Sequence, residues 1–339
     1  MPADGIRRWR HNAEVTSPAR RPPSTVAVVV ALLTVYILWG STYFAIAVMI
    51  ETMPPLLAAG VRFATAGLIV LGVLFAHARL MGGGSWERPS WAQWRTAAVV
   101  GTLLLLGGNG GVVLSEQFIP TGVAAVVIAT VPIWLNVFDA MITRRRPGAL
   151  VIGGLVAGLV GVAVLFVPVD GFGELNPIGI GLCLGGAISW AIGSLYARHH
   201  PLPRSALLGT GMEMLIGGMA LFVGGVLLGE LGQTDVANFS IRSVVAVLYL
   251  IVFGSIAGYS AYTWLLANVS VSTVATYAYV NPIVAVALGA VFLAEPITPR
   301  TLIAALLIIG AVVAMVSGRP RETEEPVRAI EGAVEPDGA

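Results

Sequence analysis

Long apolar runs separated by short polar connections dominate the chain between Val26 and Ser317. Ten of these runs approach the roughly 20 residues that an α-helix needs to cross the hydrocarbon core of a bilayer. They occupy residues 26–49, 56–76, 96–114, 121–142, 150–167, 177–197, 205–228, 243–266, 271–293 and 301–317. The pattern predicts an all-α membrane protein with ten transmembrane helices.

The composition supports this fold class. Hydrophobic residues make up 57% of the chain and charged residues only 11%, where a soluble domain carries about 25%. Residues 1–25 and 319–339 are rich in Pro, Arg and Glu, which predicts disordered tails. A net charge of +1 provides no field that would attract nucleic acid. The expected partners are therefore the lipid bilayer and a small-molecule substrate, with no nucleic acid.

The arginines test the number of spans independently of hydropathy. If the N-terminus is cytoplasmic, sixteen of the 19 basic residues lie in the tails and in every second loop. Only Arg242 and Arg300 then lie outside, and Arg62 lies within a span. Such an asymmetry is typical of cytoplasmic loops. It predicts that both termini face the cytoplasm.

The two halves of the chain resemble each other at an offset of 150–151 residues. Trp39 aligns with Trp190, and the Gly-Val-Arg motif that ends at Arg62 aligns with the Gly-Met-Glu motif that ends at Glu213. Five spans in each half force the second copy to insert with the opposite orientation, which is the architecture of many secondary transporters. The expected organisation is two inverted five-helix repeats, at residues 26–167 and 168–318, between the tails 1–25 and 319–339.

In such transporters the substrate site lies near the bilayer midplane, where the repeats meet. The middle of the spans brings Trp39, Trp190, Tyr277 and Asn281 to this depth, and they are candidate substrate-binding residues. The two tryptophans are as compatible with a lipid-facing or core position as with a cavity. An amide at the midplane needs a partner, so Asn281 either lines a cavity or joins two helices.

Three charged residues within or beside spans are functional candidates because charges in a membrane are costly. Depth along the helix argues against a pair between Arg62 and Glu213. Arg62 is expected to serve either a structural network or a substrate carboxylate. The three candidates are Arg62, Glu116 and Glu213. Arg62 is expected to pair with Glu51 or Glu116. Glu213 is expected to pair with Arg198 or Arg204.

The midplane residues also indicate the kind of solute. No carboxylate is predicted at the midplane, so an obvious proton relay is missing, and no basic cluster is there to neutralise a phosphate. Aromatic and amide groups favour a small, neutral or zwitterionic, partly apolar solute. Glycine-rich faces, such as that around Gly158, indicate close helix packing. The partner is either another helix of the same chain or a second copy, which leaves a homodimer possible.

Other protein classes fit less well. All four histidines lie in tails or loops, so neither a zinc site nor a histidine-activated nucleophile is expected in the spans. The sequence therefore predicts no enzyme, no metal and no cofactor. A receptor would need a soluble output domain, which two short tails do not provide. A channel is disfavoured because the repeat carries no charged ring.

Between residues 30 and 316 the chain resembles the EamA-type branch of the drug/metabolite transporter superfamily, and most closely its YedA-like members. The motifs that carry the resemblance are Trp39–Phe44, Pro54-Pro55, Gly60–Phe63, Gly108–Gly110, Ser189-Trp190, Gly193-Ser194, Glu213-Met214 and Tyr277–Pro282.

The resemblance implies a ten-helix inner-membrane carrier with two EamA domains that exports small metabolites such as amino acids. It also implies a central cavity formed by spans that carry Trp39, Asn109, Trp190 and Asn281, which adds Asn109 to the candidate substrate-binding residues. The expected function is export by alternating access. The alternatives are a facilitative uniporter or exchanger for another small solute, with a nucleotide sugar or phosphate disfavoured, or a membrane protein without transport activity.

Overall fold

The computed structural model describes residues 23–80, 87–119, 121–166, 176–293 and 299–318. All regular structure within these ranges is helical, and no strand occurs in them. Most of the predicted tail 1–25, the whole tail 319–339 and the predicted boundary between residues 167 and 168 lie outside the described residues.

Helices occupy every apolar run that the hydropathy pattern marks. They are α1 Thr25–Ile50, α2 Pro55–Leu80, α3 Trp91–Ser115, α4 Thr121–Ile128, α5 Val131–Thr143, α6 Ala149–Phe166, α7 Pro177–His199, α8 Ala206–Leu227, α9 Ile241–Asn268, α10 Val271–Ala275, α11 Tyr277–Leu293 and α12 Pro299–Ser317. Among the described residues, 7 helical stretches are long and apolar enough to cross a membrane: α1, α2, α3, residues 126–143, α7, α8 and α9. The chain is a multi-pass membrane protein.

Polar side chains explain where many of these helices begin. The hydroxyl of Ser90 accepts a hydrogen bond from the backbone N–H of Gln93, whose side chain accepts from the N–H of Ser90 in return. This capping box satisfies two amide groups that the first turn of a helix leaves free. Single side-chain caps precede α1, α7, α8, α9 and α10, at Ser24, Asn176, Ser205, Ser240 and Ser270.

Helices α2 and α8, which carry Arg62 and Glu213, pack antiparallel through glycines. A Cβ atom at Gly67 would lie 2.5 Å from the backbone nitrogen of Leu215, and one at Gly218 would meet the backbone nitrogen of Ala64. Only glycine permits such close backbone approach. Because Gly67 and Gly218 are equivalent under the 151-residue offset, the contact is reciprocal. Each half offers the same surface to the other, as a pseudo-two-fold axis requires.

Helices α6 and α12 form a second pair of this kind. A Cβ atom at Gly154 would meet Met315, and one at Gly161 would meet Ile308, at 2.6 and 2.7 Å. The glycine-rich face of α6 therefore has an internal partner at these two positions. Gly153 faces open space, since a Cβ atom there would find no neighbouring atom within 4 Å among the described residues.

Two of the predicted spans are interrupted and two are distorted. The fourth run divides between α4 and α5 at Ala129-Thr130, two residues before Pro132, and the ninth divides between α10 and α11 at Thr276. Helix α3 contains a π-helical segment at Thr102–Asn109, and α9 contains one at Leu250–Tyr259. The two π segments end at equivalent positions, because Asn109 and Tyr259 are 150 residues apart.

Side chains from neighbouring helices bond to the backbone of both π segments. The Trp39 indole N–H on α1 donates to the carbonyl of Gly254, at 3.0 Å, and the Ser189 hydroxyl on α7 donates to the carbonyl of Leu103, at 2.8 Å. A π-helix shifts the regular hydrogen bonds by one residue and is frequently found at functional sites. These two side-chain contacts hold the distorted backbone of α9 and α3 against α1 and α7.

Two glutamates clamp the ends of the α2–α8 pair. The Glu230 carboxylate, just after α8, accepts from the backbone N–H groups of Leu56 and Leu57 at 3.1 and 2.9 Å. The Glu87 carboxylate, after α2, accepts from those of Arg204 and Ser205 at 3.1 and 3.2 Å. A carboxylate at a helix N-terminus is favoured by the free N–H groups and by the helix dipole. Glu230 therefore caps the first turn of α2, and Glu87 holds the two residues that lead into α8.

Candidate functional site

A cavity of about 90 Å³ lies between the two halves. Its walls come from α1 to α5, α7, α9 and α11, so both halves contribute. The side chains that give it chemical character are Trp39, Tyr43, Arg62, Asn109, Trp190, Tyr259, Tyr277 and Asn281. About 10–15 Å³ of such space is enough for one water, so this conformation holds several waters.

Trp39 and Trp190 form the centre of the aromatic wall. Their rings meet edge to face, with centroids 5.5 Å apart, which is a favoured arrangement of aromatic rings. Each ring covers a glycine of a π segment: a Cβ atom at Gly258 would lie 2.5 Å from the Trp39 indole nitrogen, and one at Gly108 would lie 2.6 Å from Cε3 of Trp190. The two tryptophans thus occupy equivalent places in the two halves.

Two tyrosines fix the positions of the indoles. The Trp190 indole N–H donates to the Tyr262 hydroxyl at 2.9 Å, and that hydroxyl lies 2.6 Å from the hydroxyl of Ser194. Tyr277 packs edge to face against Trp39 with centroids 5.1 Å apart. The aromatic cluster is therefore a hydrogen-bonded and packed unit whose free ring surface faces the cavity.

Asn281 both lines the cavity and joins two helices. It is 1% exposed. In the amide orientation that satisfies its surroundings, its nitrogen donates to the carbonyls of Tyr36 and Tyr277, at 3.2 and 3.0 Å. The first of these bonds ties α11 to α1. Both interpretations of this residue from the sequence, cavity lining and interhelix contact, therefore apply.

Arg62 and Asn109 bring unpaired polar atoms to the same cavity. Arg62 is 3% exposed; its Nε donates to the hydroxyl of Ser255 at 2.9 Å, and its Nη1 has no hydrogen-bond partner among the described residues. The side-chain oxygen of Asn109 is also buried without a partner there. Buried polar groups are almost always hydrogen-bonded. A free donor and a free acceptor at one cavity thus indicate a place for a polar ligand.

The expected ion pairs of the charged residues are wrong. Neither Glu51 nor Glu116 pairs with Arg62: Glu51 lies 4.0 Å from Arg242, and both carboxylate oxygens of Glu116 are buried without a partner in the described part of the chain. The sequence does not reveal the actual partner, because the Ser255 hydroxyl, 193 residues away, satisfies part of the guanidinium. Among the described residues, the Arg62 guanidinium lies within 4.0 Å of no carboxylate.

Glu213 does not pair with Arg198 or Arg204 either. Its carboxylate accepts a hydrogen bond from the Tyr259 hydroxyl at 3.0 Å, and Arg198 donates instead to the carbonyls of Leu266 and Val269. The structure brings six candidates together at the central cavity: Trp39, Arg62, Asn109, Trp190, Tyr277 and Asn281. Glu116 and Glu213 do not line that cavity.

Tyr43 and Tyr259 are absent from the candidates that the sequence suggests, although both line the cavity. Tyr43 follows Trp39 by four residues, so helical spacing places the two on one face, and that signal was present in the sequence. Tyr259 follows Ser255 at the same spacing but lies in a π segment, where the usual periodicity fails. In the described part of the chain, no group of three His, Cys, Asp or Glu residues could hold a metal ion.

A membrane-embedded helical bundle whose two halves enclose a central cavity has the architecture of a solute carrier. The sequence pattern of the EamA-like transporter family matches residues 26–167 and again residues 177–317. The chain belongs to this family.

Individual relatives agree with the family. The chain is 39% identical over 303 residues to the inner membrane transporter YedA of Escherichia coli K12, covering 88% of this chain and 93% of YedA. It is 27% identical over 308 residues to a probable amino-acid metabolite efflux pump of Salmonella typhimurium LT2, covering 86% and 95%. A crystal structure with 19% identity has the same fold, with a TM-score of 0.68 over 86% of this chain and 96% of the other.

Proposed function

We propose that this transporter is an inner-membrane secondary carrier that exports small amphipathic metabolites, such as amino acids, by alternating access. Ten transmembrane helices form two inverted five-helix repeats, at 26–167 and 168–318, and both termini face the cytoplasm. The observation that carries the proposal is the equivalence of Trp39 and Trp190, which contact Gly258 and Gly108 in the same way. Such a symmetric wall can open to either side at similar cost.

The polar atoms of the cavity support a zwitterionic substrate. The free Nη1 of Arg62 suits a carboxylate, since guanidinium–carboxylate hydrogen bonds are strong and directional. The free side-chain oxygen of Asn109 suits an ammonium group. Trp39, Trp190 and Tyr277 offer ring faces to an apolar side chain or to the ammonium group. An amino acid carries all three features.

The names of the relatives support the same proposed function. One of them is named an inner membrane transporter and another a probable amino-acid metabolite efflux pump. A facilitative uniporter or an exchanger for another small solute is the alternative. A nucleotide sugar or a phosphate fits less well, because Arg62 is the only arginine that lines the described central cavity and multiply charged groups need more than one counter-charge.

The test has two stages. Metabolite profiling of cells with and without overexpression identifies solutes whose external concentration rises. The purified protein is then reconstituted in proteoliposomes loaded with one unlabelled solute, and counterflow of labelled L-phenylalanine or of a labelled hexose phosphate is followed. We expect phenylalanine to exchange and the hexose phosphate to remain outside. Counterflow of the hexose phosphate alone would reject the proposed substrate class, and no counterflow in any condition would reject a carrier.

A further inference from the structure

A second cavity, of about 570 Å³, lies where α7 and α8 meet the end of α9. Glu213, Arg198, Arg204, His200 and Thr263 are among the side chains that line it. Glu213 is the acidic residue in this lining and is 1% exposed. It therefore lies at the inner end of a wide polar cavity.

Tyr259 stands between this cavity and the central one. Its hydroxyl donates to Oε2 of Glu213 at 3.0 Å, while the residue also lines the central cavity beside Trp190, with ring centroids 6.5 Å apart. Glu213 and the substrate cavity are thus separated by a single side chain. A change at either one reaches the other through one hydrogen bond.

No cation neutralises Glu213 in this conformation of the described residues. The charged and titratable groups around it are Arg198 from α7, Arg204 and His200 from the α7–α8 connection, and Tyr259 and Tyr262 from α9, whereas Arg62 from α2 lines the central cavity instead. In the described chain none of these cations lies within 4.0 Å of the carboxylate. Arg62 donates to Ser255, and Arg198 donates to backbone carbonyls. From α3, Gly101 packs against the backbone of Glu213.

A buried carboxylate without a counter-ion is costly when ionised and acceptable when protonated. Water in the adjoining cavity lowers the cost of the charge, and drying of the cavity raises it. Any rearrangement that opens or closes this cavity therefore changes the proton occupancy of Glu213. By linkage, the proton then changes the balance between the two conformations.

We propose that Glu213 is the proton-binding site of the carrier, filled from the cavity lined by Arg198 and Arg204 and linked by Tyr259 to the substrate cavity. A proton from the water of this cavity joins the Glu213 carboxylate as the cavity closes and dries, and it leaves to water on the opposite side of the membrane once the rearranged helices hydrate the site from there. This inference rests on the proposed transport function for its physiological meaning. Proton binding itself does not depend on which solute is moved.

The first experiment measures coupling. Proteoliposomes with an imposed pH difference of one unit are tested for accumulation of labelled L-phenylalanine, for which one proton per substrate permits about tenfold accumulation. We expect Glu213→Gln to abolish accumulation while counterflow without a pH difference remains measurable. Accumulation by Glu213→Gln equal to that of the unmodified carrier would overturn the proposal.

The second experiment detects proton binding without any substrate. Infrared difference spectra of the reconstituted protein are recorded while the pH is lowered, and the stretch of protonated carboxyl groups is followed. We expect a titrating band that is lost in Glu213→Gln and kept in Asp139→Asn, a matched carboxyl-to-amide change in helix α5 away from both cavities. The same band in Glu213→Gln would reject the site even if transport is observed. Loss of the band with no transport by the unmodified protein would reject the transport function instead.

Discussion

Trp39 and Trp190 meet edge to face at the centre of the molecule, with ring centroids 5.5 Å apart. They lie at equivalent positions of the two halves, and each covers a glycine of the opposing π segment. This contact between the two repeats is therefore also part of the wall of the central cavity. A substitution in it affects the contact between the halves and the cavity together.

Replacement of either tryptophan should weaken transport to a similar degree. Trp39→Ala and Trp190→Ala each remove a ring face that the proposed substrate contacts, and an aromatic contact contributes about 0.5–1.5 kcal/mol, so we expect KM for counterflow to rise by about two- to tenfold. Trp91→Ala, at a residue that is 81% exposed, is the control and should transport normally. If one tryptophan variant transports normally at an equal protein level, its ring does not contact the substrate.

Arg62 should determine the preference for a carboxylate. A hydrogen bond to a charged group contributes about 1.5–3 kcal/mol, so Arg62→Gln should raise KM for L-phenylalanine by about ten- to a hundredfold. The corresponding amine, which lacks the carboxylate, should be transported no worse than before. The ratio of the two KM values is the measurement.

Arg242→Gln provides the matched control for Arg62. Its side chain is 72% exposed, and its removal should leave the ratio unchanged. An equal loss for the acid and the amine in Arg62→Gln would assign the arginine to the structure of the protein and not to substrate binding.

The glycines between α2 and α8 should be necessary for stability. In Gly67→Ala the new methyl group would lie 2.5 Å from the backbone nitrogen of Leu215, and overpacking of this kind costs about 1–3 kcal/mol. Gly218→Ala should cost a similar amount because it is the reciprocal contact. Gly72→Ala, on the same helix as Gly67 but with no described atom within 4 Å, should leave Tm unchanged or raise it. Thermal unfolding in detergent measures all three, and equal Tm values would contradict the packing argument.

The two glutamate clamps should be equivalent in strength. Glu87→Ala and Glu230→Ala each remove an acceptor of two backbone N–H groups, and a hydrogen bond contributes about 0.5–1.5 kcal/mol. We expect both variants to lower Tm by a similar amount. Glu51→Ala, which removes only an exposed ion pair, should have little effect. A much larger effect at one clamp would mean that the two ends of the bundle are not equally held.

Hydropathy predicts the helices well because the length of an apolar run is itself the physical requirement for a span. Helix α2 remains continuous through Arg62, and α8 through Glu213, as the runs predict. Internal similarity also places Trp39 and Trp190 at matching depth. The site residues that were predicted from their depth along a helix are the ones that the structure brings together at one cavity.

Rotation about a helix axis and long-range hydroxyl contacts are not encoded in the apolar pattern. The hydrogen bonds from Arg62 to Ser255 and from Tyr259 to Glu213 join helices that are distant in the sequence. Serine and tyrosine carry no charge, so the sequence does not indicate them as partners of a charged residue. The π segments are equally hidden, because a run of apolar residues looks the same in either kind of helix. The π segment of α9 and the hydrogen bond from Tyr259 to Glu213 place Tyr259 at the central cavity and Glu213 on the far side of Tyr259.

In its π segment, each of the helices α3 and α9 contains a surplus residue that a regular α-helical turn would not hold. A wide turn can pass its surplus residue along the helix, and each such passage rotates the residues it crosses by about 100° while the helix ends stay where they are. Movement of the surplus residue through Thr102–Asn109 or Leu250–Tyr259 would therefore rotate the side chain of Asn109 or Tyr259 relative to the cavity. Each half of the bundle contains one such segment, so the same rotation is available on both sides of the central cavity.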